Sequence, residues 1–205
     1  MPFILRRMKP RDVPVVAEID RLSFPTPWPA SAFRRELQSE RGAYFVLLKP
    51  EDEESRSSPF GKEGWLGRLL SPAAPSRVIG YVGFRLQRQG GHITTIAVHP
   101  HWRGRGFGEY LLTVALRKMA SQGVGRVTLE MRPSNNLAYR LYRKYGFRVV
   151  KFRGGYYRDG EDAWVMAVDI SDEDYRRGLR ELRRAVKQRL DRQDLEVGQI
   201  DGGAL

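Results

Sequence analysis

The stretch Ile96–Gly108, with the sequence IAVHPHWRGRGFG, determines how the rest of the chain is arranged. An apolar strand runs into it, and an apolar helical pattern begins after its three glycines, Gly104, Gly106 and Gly108. Glycines let backbone N–H groups crowd around an anion, and the following helix adds the positive end of its dipole. The stretch therefore predicts a turn that binds a phosphate or a pyrophosphate.

This turn does not match either of the common nucleotide-binding loops. The pattern GxxxxGK[ST] requires a lysine that is absent, and GxGxxG fails because Glu109 stands where the last glycine belongs. A flexible surface turn is the simpler alternative for three glycines alone. Arg103 and Arg105 favour the anion site, because guanidinium groups would add charge-assisted hydrogen bonds to a diphosphate.

The hydrophobic pattern on both sides of the turn alternates between strands and helices. Strands are predicted at residues 3–8, 44–48, 78–86, 92–98, 126–131, 147–152 and 163–170. Helices are predicted at residues 13–22, 29–38, 107–121 and 135–145. This order, with hairpins near the start and the finish, predicts a mixed α/β sheet covered by helices on both faces.

The chain divides into one domain and a short appendage. Residues 1–170 form the domain, which carries a surface insertion at residues 50–77 that is rich in acidic residues, serine and proline. Residues 171–205 read as a C-terminal amphipathic helix and tail, with apolar residues at 175, 179, 182, 186 and 190. We expect this helix to pack on the domain's own flank. A dimer contact is the alternative, so both a monomer and a homodimer stay open.

Composition limits the classes of function. The chain has no cysteine, which excludes disulfides, thiolate zinc sites and a cysteine nucleophile. Its net charge is +12, which suits a polyanionic cofactor, nucleic acid, an acidic protein or simply a solvated surface. No nucleic-acid-binding module is recognisable, so nucleic acid is not expected as a partner. No segment reads as a signal peptide or a membrane span, so we expect a cytoplasmic protein with no membrane partner.

Several motifs together resemble a known family. Residues 103–108, RGRGFG, fit the R/Q-x-x-G-x-G/A signature of the GNAT superfamily of N-acetyltransferases. Three further segments are similar to its RimI-type branch, the ribosomal-protein-alanine and protein N-alpha-acetyltransferases. They are FPTPW at Phe24–Trp28, LEMRPSNNLAYRLYRKYGF at Leu129–Phe147 and GGYYRDGEDAWVM at Gly154–Met166. The resemblance spans residues 3–170 and leaves out the insertion and the tail.

The resemblance implies a fold and a reaction. The fold would be the GNAT fold, a mostly antiparallel mixed sheet of about seven strands with helices on both faces and, here, a C-terminal helix. The reaction would transfer an acetyl group from acetyl-CoA to the N-terminal α-amine of a protein, with a ribosomal protein as one suggested acceptor. Lysine, polyamine or another small amine is the alternative acceptor. A non-catalytic CoA sensor or a nucleic-acid-binding domain is the alternative outside catalysis.

The resemblance also assigns roles to individual residues. Glu130 would be the general base that takes a proton from the amine, and Tyr142 the general acid that protonates the leaving thiolate. From the residues alone, Glu130 could instead be solvated or paired with Arg132, and Tyr142 could be a packing residue.

The same resemblance predicts the binding residues. Contacts to acetyl-CoA are expected from Ile96, Ala97, Val98, Arg103, Gly104, Arg105, Gly106, Phe107, Gly108, Glu109 and Asn135. Among them, the backbone N–H of Val98 would bind the thioester carbonyl oxygen, and Asn135 could alternatively be a helix N-cap. The acceptor would contact Phe24, Trp28, Tyr156 and Tyr157. No metal site is predicted.

Overall fold

The computed structural model describes residues 3–49 and 78–201, so the predicted insertion at residues 50–77 lies outside the described residues. The strands are β1 (Ile4–Arg7), β2 (Gly42–Leu48), β3 (Val78–Gln87), β4 (Gly90–Val98), β5 (Arg126–Met131), β6 (Arg148–Arg153) and β7 (Ala163–Asp169). The helices are α1 (Val13–Arg21), α2 (Ala30–Leu37), α3 (Phe107–Ala120), α4 (Asn136–Lys144) and α5 (Glu173–Asp201). Short 3-10 turns at Pro10–Asp12 and Pro100–Trp102 complete the described structure.

The seven strands form one sheet in the order β1-β2-β3-β4-β5-β7-β6. Neighbouring strands are antiparallel except for β4 and β5, which run parallel. The predicted mixed α/β fold with about seven mostly antiparallel strands is therefore confirmed.

The parallel pair comes apart part of the way along its length. Its register begins at Gly91 opposite Val127 and ends at Ile93 opposite Leu129. At that point β4 holds one extra residue, Thr94, against β3, because Gly83 pairs with Thr95 and the next residue of β3 pairs with Ile93. A bulge of this kind bends a strand and strengthens its twist. The bulge thus accounts for the split between β4 and β5.

Helices cover both faces of the sheet. On one face, α1 and α2 bury Val16, Ile19 and Phe33 against the strands. On the other face, α3 buries an almost continuous apolar surface that includes Leu112 and Leu116, neither of which has any exposed area. Strand β2 contributes side chains to both layers of the core, because successive residues of a strand point to opposite faces of the sheet.

The C-terminal helix α5 joins the second of these layers. Leu179, Val186 and Leu190 are at most 3% exposed and belong to the same apolar cluster as α3. Tyr175 donates a hydrogen bond from its hydroxyl to the carbonyl oxygen of Tyr145, over 2.9 Å. The apolar spacing that predicts this helix is confirmed as its buried face. Within residues 3–49 and 78–201, no helix is long and apolar enough to cross a membrane.

Candidate active site

Two clefts meet where β4 and β5 separate. The first, of about 360 Å³, is lined by the split strands, the start of α4, and the loops that follow α1 and β6. The second, of about 840 Å³, continues from it between α2 and the loop that follows β6. The predicted acceptor residues Phe24, Trp28, Tyr156 and Tyr157 all line the first cleft.

Glu130 stands at the junction and lines both clefts. It is the first residue of β5 beyond the last parallel pair, and its side chain is 14% exposed. Its Oε2 atom lies 3.1 Å from Nε2 of His92, and its Oε1 atom lies 3.4 Å from a guanidinium nitrogen of Arg153. The structure pairs Glu130 with these two residues, so the alternative ion pair with Arg132 is wrong.

The surroundings of Glu130 keep its carboxylate charged. Burial by itself raises the pKa of a carboxyl group. Here the hydrogen bond with His92 and the electrostatic effects of His92 and Arg153 together outweigh burial, so the pKa of Glu130 lies below its usual value. The group is therefore ionised at neutral pH although it is largely buried in a cleft.

His92 is a site residue that the sequence alone did not reveal. It lies on β4 directly opposite Thr128 of β5, and its Nδ1 atom is 3.0 Å from the Thr128 hydroxyl oxygen. Contacts at both ring nitrogens fix the orientation of the imidazole towards Glu130. His92 could have been found only from the register of the parallel strands β4 and β5, which are far apart in sequence. Hydrophobic patterns do not predict that register.

Tyr142 projects from α4 into the first cleft. The residue is 6% exposed, and its ring packs 5.7 Å from that of Phe147. Among the described residues, no group hydrogen-bonds its hydroxyl. Burial, with a smaller effect from Tyr157, raises the pKa of Tyr142 above its usual range, so the phenol stays protonated.

Tyr145, the residue that follows α4, makes its hydrogen bonds elsewhere. The Tyr145 hydroxyl lies 2.7 Å from that of Thr113 and also reaches Glu109 inside the second layer of the core. Of these two tyrosines, the structure thus brings only Tyr142 to the cleft, as the family pattern implies.

Arg132 links the two loops that form the mouth of the first cleft. It is 8% exposed and donates to Glu161 over 2.6 Å and to the Thr26 hydroxyl over 3.0 Å. It also pairs with Asp159, and its guanidinium carbon lies 3.8 Å from the centre of the Tyr157 ring. The sequence suggested Arg132 only as a partner for Glu130, so this role was not predicted.

Asp20 anchors the first of these loops from below. Its carboxylate, only 1% exposed, accepts hydrogen bonds from the backbone N–H of Trp28, over 2.6 Å, and from the Tyr81 hydroxyl. Burial raises the pKa of Asp20, although both hydrogen bonds act in the opposite direction. This buried acid was not predicted either, because its position on α1 resembles that of any polar residue beside an apolar face.

The glycine turn lies at the far end of β4. Gly104 and Gly106 have φ angles of +78° and +91°, which glycine adopts readily and other residues rarely do. Nothing described lies within 4 Å of a Cβ added at Gly104, and no side chain caps the start of α3. The uncapped N–H groups and the open space beside the turn fit the diphosphate of a CoA molecule.

The two arginines of the turn have other partners in the structure. Arg103 donates to the carbonyl oxygen of Val98 over 3.0 Å and to the hydroxyl of Ser23 over 2.8 Å. Arg105 lies over the ring of Trp102, with 4.9 Å between its guanidinium carbon and the ring centre. Arg103 thereby ties the end of β4 to the loop after α1. Contacts of either arginine with a diphosphate stay a prediction.

Two more of the predicted cofactor residues have buried side chains. Phe107 is 2% exposed and packs against Phe3 and Trp102, so only its backbone remains for a ligand. Glu109 binds Lys144 over 2.5 Å and Arg189 over 2.6 Å. Burial acts to raise the pKa of Glu109, but these two cations outweigh it and lower the pKa.

The remaining predicted cofactor residues lie along the split. Ile96 and Asn135 line the first cleft, whereas Ala97 is buried with α1 and α2. Asn135 accepts a hydrogen bond from the N–H of Ala138 over 3.0 Å, so the N-cap alternative is confirmed.

The direction of the Val98 N–H follows from the hydrogen bonds of its neighbour. The N–H of His99 donates to the carbonyl oxygen of Ile79 in β3, and N–H groups alternate in direction along an antiparallel strand. The N–H of Val98 therefore points towards the split. Gly108, the last of the predicted cofactor residues, lies in the first turn of α3.

Comparisons with known proteins agree with this geometry. Residues 13–147 match the family model described as the acetyltransferase (GNAT) family. A putative bS18-alanine N-acetyltransferase of Bacillus subtilis is 31% identical over 169 residues, which cover 82% of this chain and 96% of that protein. The N-alpha-acetyltransferase RimI of Mycobacterium tuberculosis is 37% identical over 147 residues, covering 71% of this chain and 78% of that protein.

Solved structures show the same fold. The ribosomal-protein-S18-alanine N-acetyltransferase of Escherichia coli superposes with a TM-score of 0.64 at 25% identity, covering 83% of this chain and 95% of that one. Ard1 from Thermoplasma volcanium superposes with a TM-score of 0.67 at 21% identity, covering 84% of this chain and all of the other. The chain therefore belongs to the GNAT family of acetyltransferases, enzymes that use acetyl-CoA as the acyl donor.

Proposed function

We propose that this enzyme transfers the acetyl group of acetyl-CoA to the N-terminal α-amine of a protein. The observation that carries the proposal is the position of Glu130, an ionised and largely buried carboxylate where the two clefts meet. The relatives named for N-alpha-acetylation and for the alanine of ribosomal protein bS18 support the same acceptor class. They make the N-terminus of bS18 the first acceptor to test.

The strength of Glu130 as a base fits an α-amine. An α-amine of pKa about 7.7–8.0 loses its proton at pH 7 at a cost of only about 1–1.4 kcal/mol, whereas a lysine of pKa about 10.4 costs nearly 5 kcal/mol. Glu130 has a lowered pKa and is thus a weak base that stays ionised. Such a group suits an amine that gives up its proton easily, either directly or through a water molecule.

The other residues of the site have complementary roles in this proposal. Acetyl-CoA supplies the thioester. The N–H of Val98 would donate a hydrogen bond to the carbonyl oxygen as negative charge develops on it. Tyr142, protonated and directed into the cleft, would donate its proton or a hydrogen bond to the departing sulfur. His92 would hold the Glu130 carboxylate in place through its contact at 3.1 Å.

A peptide panel tests the proposed acceptor. Short peptides would be offered with acetyl-CoA in three forms: a free N-terminus without lysine, a blocked N-terminus with one lysine, and a free N-terminus with one lysine. Mass spectrometry of the products would locate the acetyl group. We expect acetyl transfer to the α-amine in the first and third forms. Efficient acetylation of the blocked, lysine-containing peptide, or of spermidine offered alone, would contradict the proposal.

A further inference from the structure

The C-terminal helix brings a cation to the glycine turn. A Cβ atom added to Gly106 would lie 2.8 Å from Nη2 of Arg189, a residue of α5 that is 80 or more positions away in sequence. The family model ends at residue 147, so Arg189 lies outside the part of the chain that it matches. A residue outside the matched family model therefore stands against the turn expected to bind the cofactor's phosphates.

Arg189 is held in this place from both sides. Its Nη2 atom donates to Oε2 of Glu109 over 2.6 Å, and Glu109 lies in the first turn of α3. On its own helix, Val186 and Leu190 are each 1% exposed and fasten this part of α5 to the core. Because the backbone is anchored and one nitrogen is bound, little conformational entropy remains to be lost when a ligand arrives.

The three charged side chains of Glu109, Lys144 and Arg189 together carry a net positive charge beside the turn. Glu109 contributes one negative charge, while Lys144 and Arg189 contribute one positive charge each. The arginine side chain is 45% exposed, and a guanidinium has five N–H donors, of which the carboxylate of Glu109 uses only part. The turn's own arginines are bound to Val98, Ser23 and Trp102, as described above.

We propose that Arg189 is a cofactor-binding residue that donates hydrogen bonds to a phosphate group of acetyl-CoA at the glycine turn. Glu109 is then a positioning residue, which orients the guanidinium and does not touch the cofactor. The proposal rests on acetyl-CoA as the acyl donor and is independent of which amine accepts the acetyl group.

Calorimetric titration with CoA tests the proposal without any acetyl transfer. The proteins compared are the wild type, Arg189→Ala, Arg189→Lys and the control Arg192→Ala, which removes an exposed arginine of the same helix. Loss of a charge-assisted hydrogen bond is expected to weaken CoA binding about tenfold in Arg189→Ala. The lysine variant should lose less, and the control should bind like the wild type.

Two truncated ligands show whether the effect comes from phosphate. Dephospho-CoA lacks the 3′-phosphate and keeps the diphosphate, whereas pantetheine has neither. If Arg189 contacts the diphosphate, the loss persists with dephospho-CoA; if it contacts the 3′-phosphate, the loss disappears with that ligand. Either result supports the proposal, provided that Arg189→Ala and the wild type bind pantetheine equally.

Two outcomes would overturn the inference. One is CoA affinity in Arg189→Ala equal to that of the wild type, and the other is an equal loss of affinity for pantetheine, which would indicate a general disturbance of the fold. Arg189→Gln, which can still hydrogen-bond Glu109, replaces the alanine variant if that variant does not fold. A wild type that fails to bind CoA at all would instead refute acetyl-CoA as the donor.

Discussion

The two sides of the split between β4 and β5 are built in different ways. On the donor side, residues 96–108 form one continuous stretch, with open space beside Gly104 and the side chain of Arg189 beside Gly106. On the acceptor side, the side chains of Glu130, His92 and Arg132 meet loops from distant parts of the chain. One side depends on local conformation and the other on tertiary contacts.

Because of this difference, the two sides should be impaired by different kinds of substitution. Backbone N–H groups at a helix start survive most side-chain changes, so the donor side is sensitive mainly to changes at its glycines and at the ion pairs behind them. The acceptor side consists of side chains that hold one another in place, so single substitutions there should affect turnover or acceptor binding. The following variants test that distinction, from the largest expected effect to the smallest.

Glu130→Gln should cause the largest loss. The substitution keeps the shape of the side chain and its contact with His92 but removes the base, so we expect kcat to fall about a hundredfold or more. Steady-state kinetics with an N-terminal peptide would measure the change, and calorimetry should show CoA binding like that of the wild type. Wild-type turnover in this variant would remove Glu130 from the mechanism.

Tyr142→Phe removes one hydroxyl that is directed into the first cleft. Because this hydroxyl has no hydrogen-bonding partner among the described residues, its loss should leave folding unchanged. We expect kcat to fall about tenfold or more. Tyr139→Phe on the same helix is the matched control and should keep wild-type kinetics. Equal behaviour of the two variants would mean that Tyr142 is only a packing residue.

Arg132→Lys should act on acceptor binding rather than on chemistry. Lysine cannot bridge Glu161, Asp159 and Thr26 at once, because it lacks the planar fork of the guanidinium. The two loops at the cleft mouth should then become less fixed, and the peptide KM should rise about fivefold while kcat changes little. Arg148→Lys, at an exposed arginine of β6 that lines neither cleft, is the control. A fall in kcat with unchanged KM would contradict a role in holding the mouth.

Glu109→Gln tests the ion pairs behind the donor side through the pH dependence of stability. The folded-state pKa of Glu109 is lowered, so its contribution is complete above the unfolded pKa of about 4.3 and is lost as pH falls through the lower folded value. We expect a loss of about 1 kcal/mol at pH 7, since both cationic partners are half-exposed. Denaturant titrations at neutral and acidic pH should show the difference from wild type shrinking on acidification.

Asp20→Asn should show the opposite trend, which sharpens the comparison. The pKa of Asp20 is higher in the folded state than in the unfolded state. Ionisation of this carboxyl group therefore destabilises the folded protein as pH rises from the unfolded pKa towards the folded pKa. The stability of the wild type relative to Asp20→Asn should therefore decrease as pH rises. The same denaturant titrations measure this difference in unfolding free energy. If it changed with pH in the same direction for Glu109→Gln and Asp20→Asn, the expected contrast between the two sides would be wrong.

Much of the fold could be predicted from local pattern. The alternation in β2, the helical spacing of α3 and the apolar positions of α5 each report a buried face within a few residues, so the strands and helices were found near their observed bounds. The glycine turn was equally readable, because its positive φ angles demand glycine where glycine stands. Glu130 and Tyr142 could be selected because they match positions in a family motif.

The sequence by itself determined the element order and the glycine turn, and its resemblance to a family selected the candidate base and acid. Only the tertiary structure decided that His92 and Arg153 hold Glu130, that Arg132 closes the cleft mouth, and that α5 brings Arg189 to Gly106. These contacts join residues from different strands, loops and helices. Their geometry follows from strand register, the bulge at Thr94 and the docking of α5, which depend on packing across the whole domain.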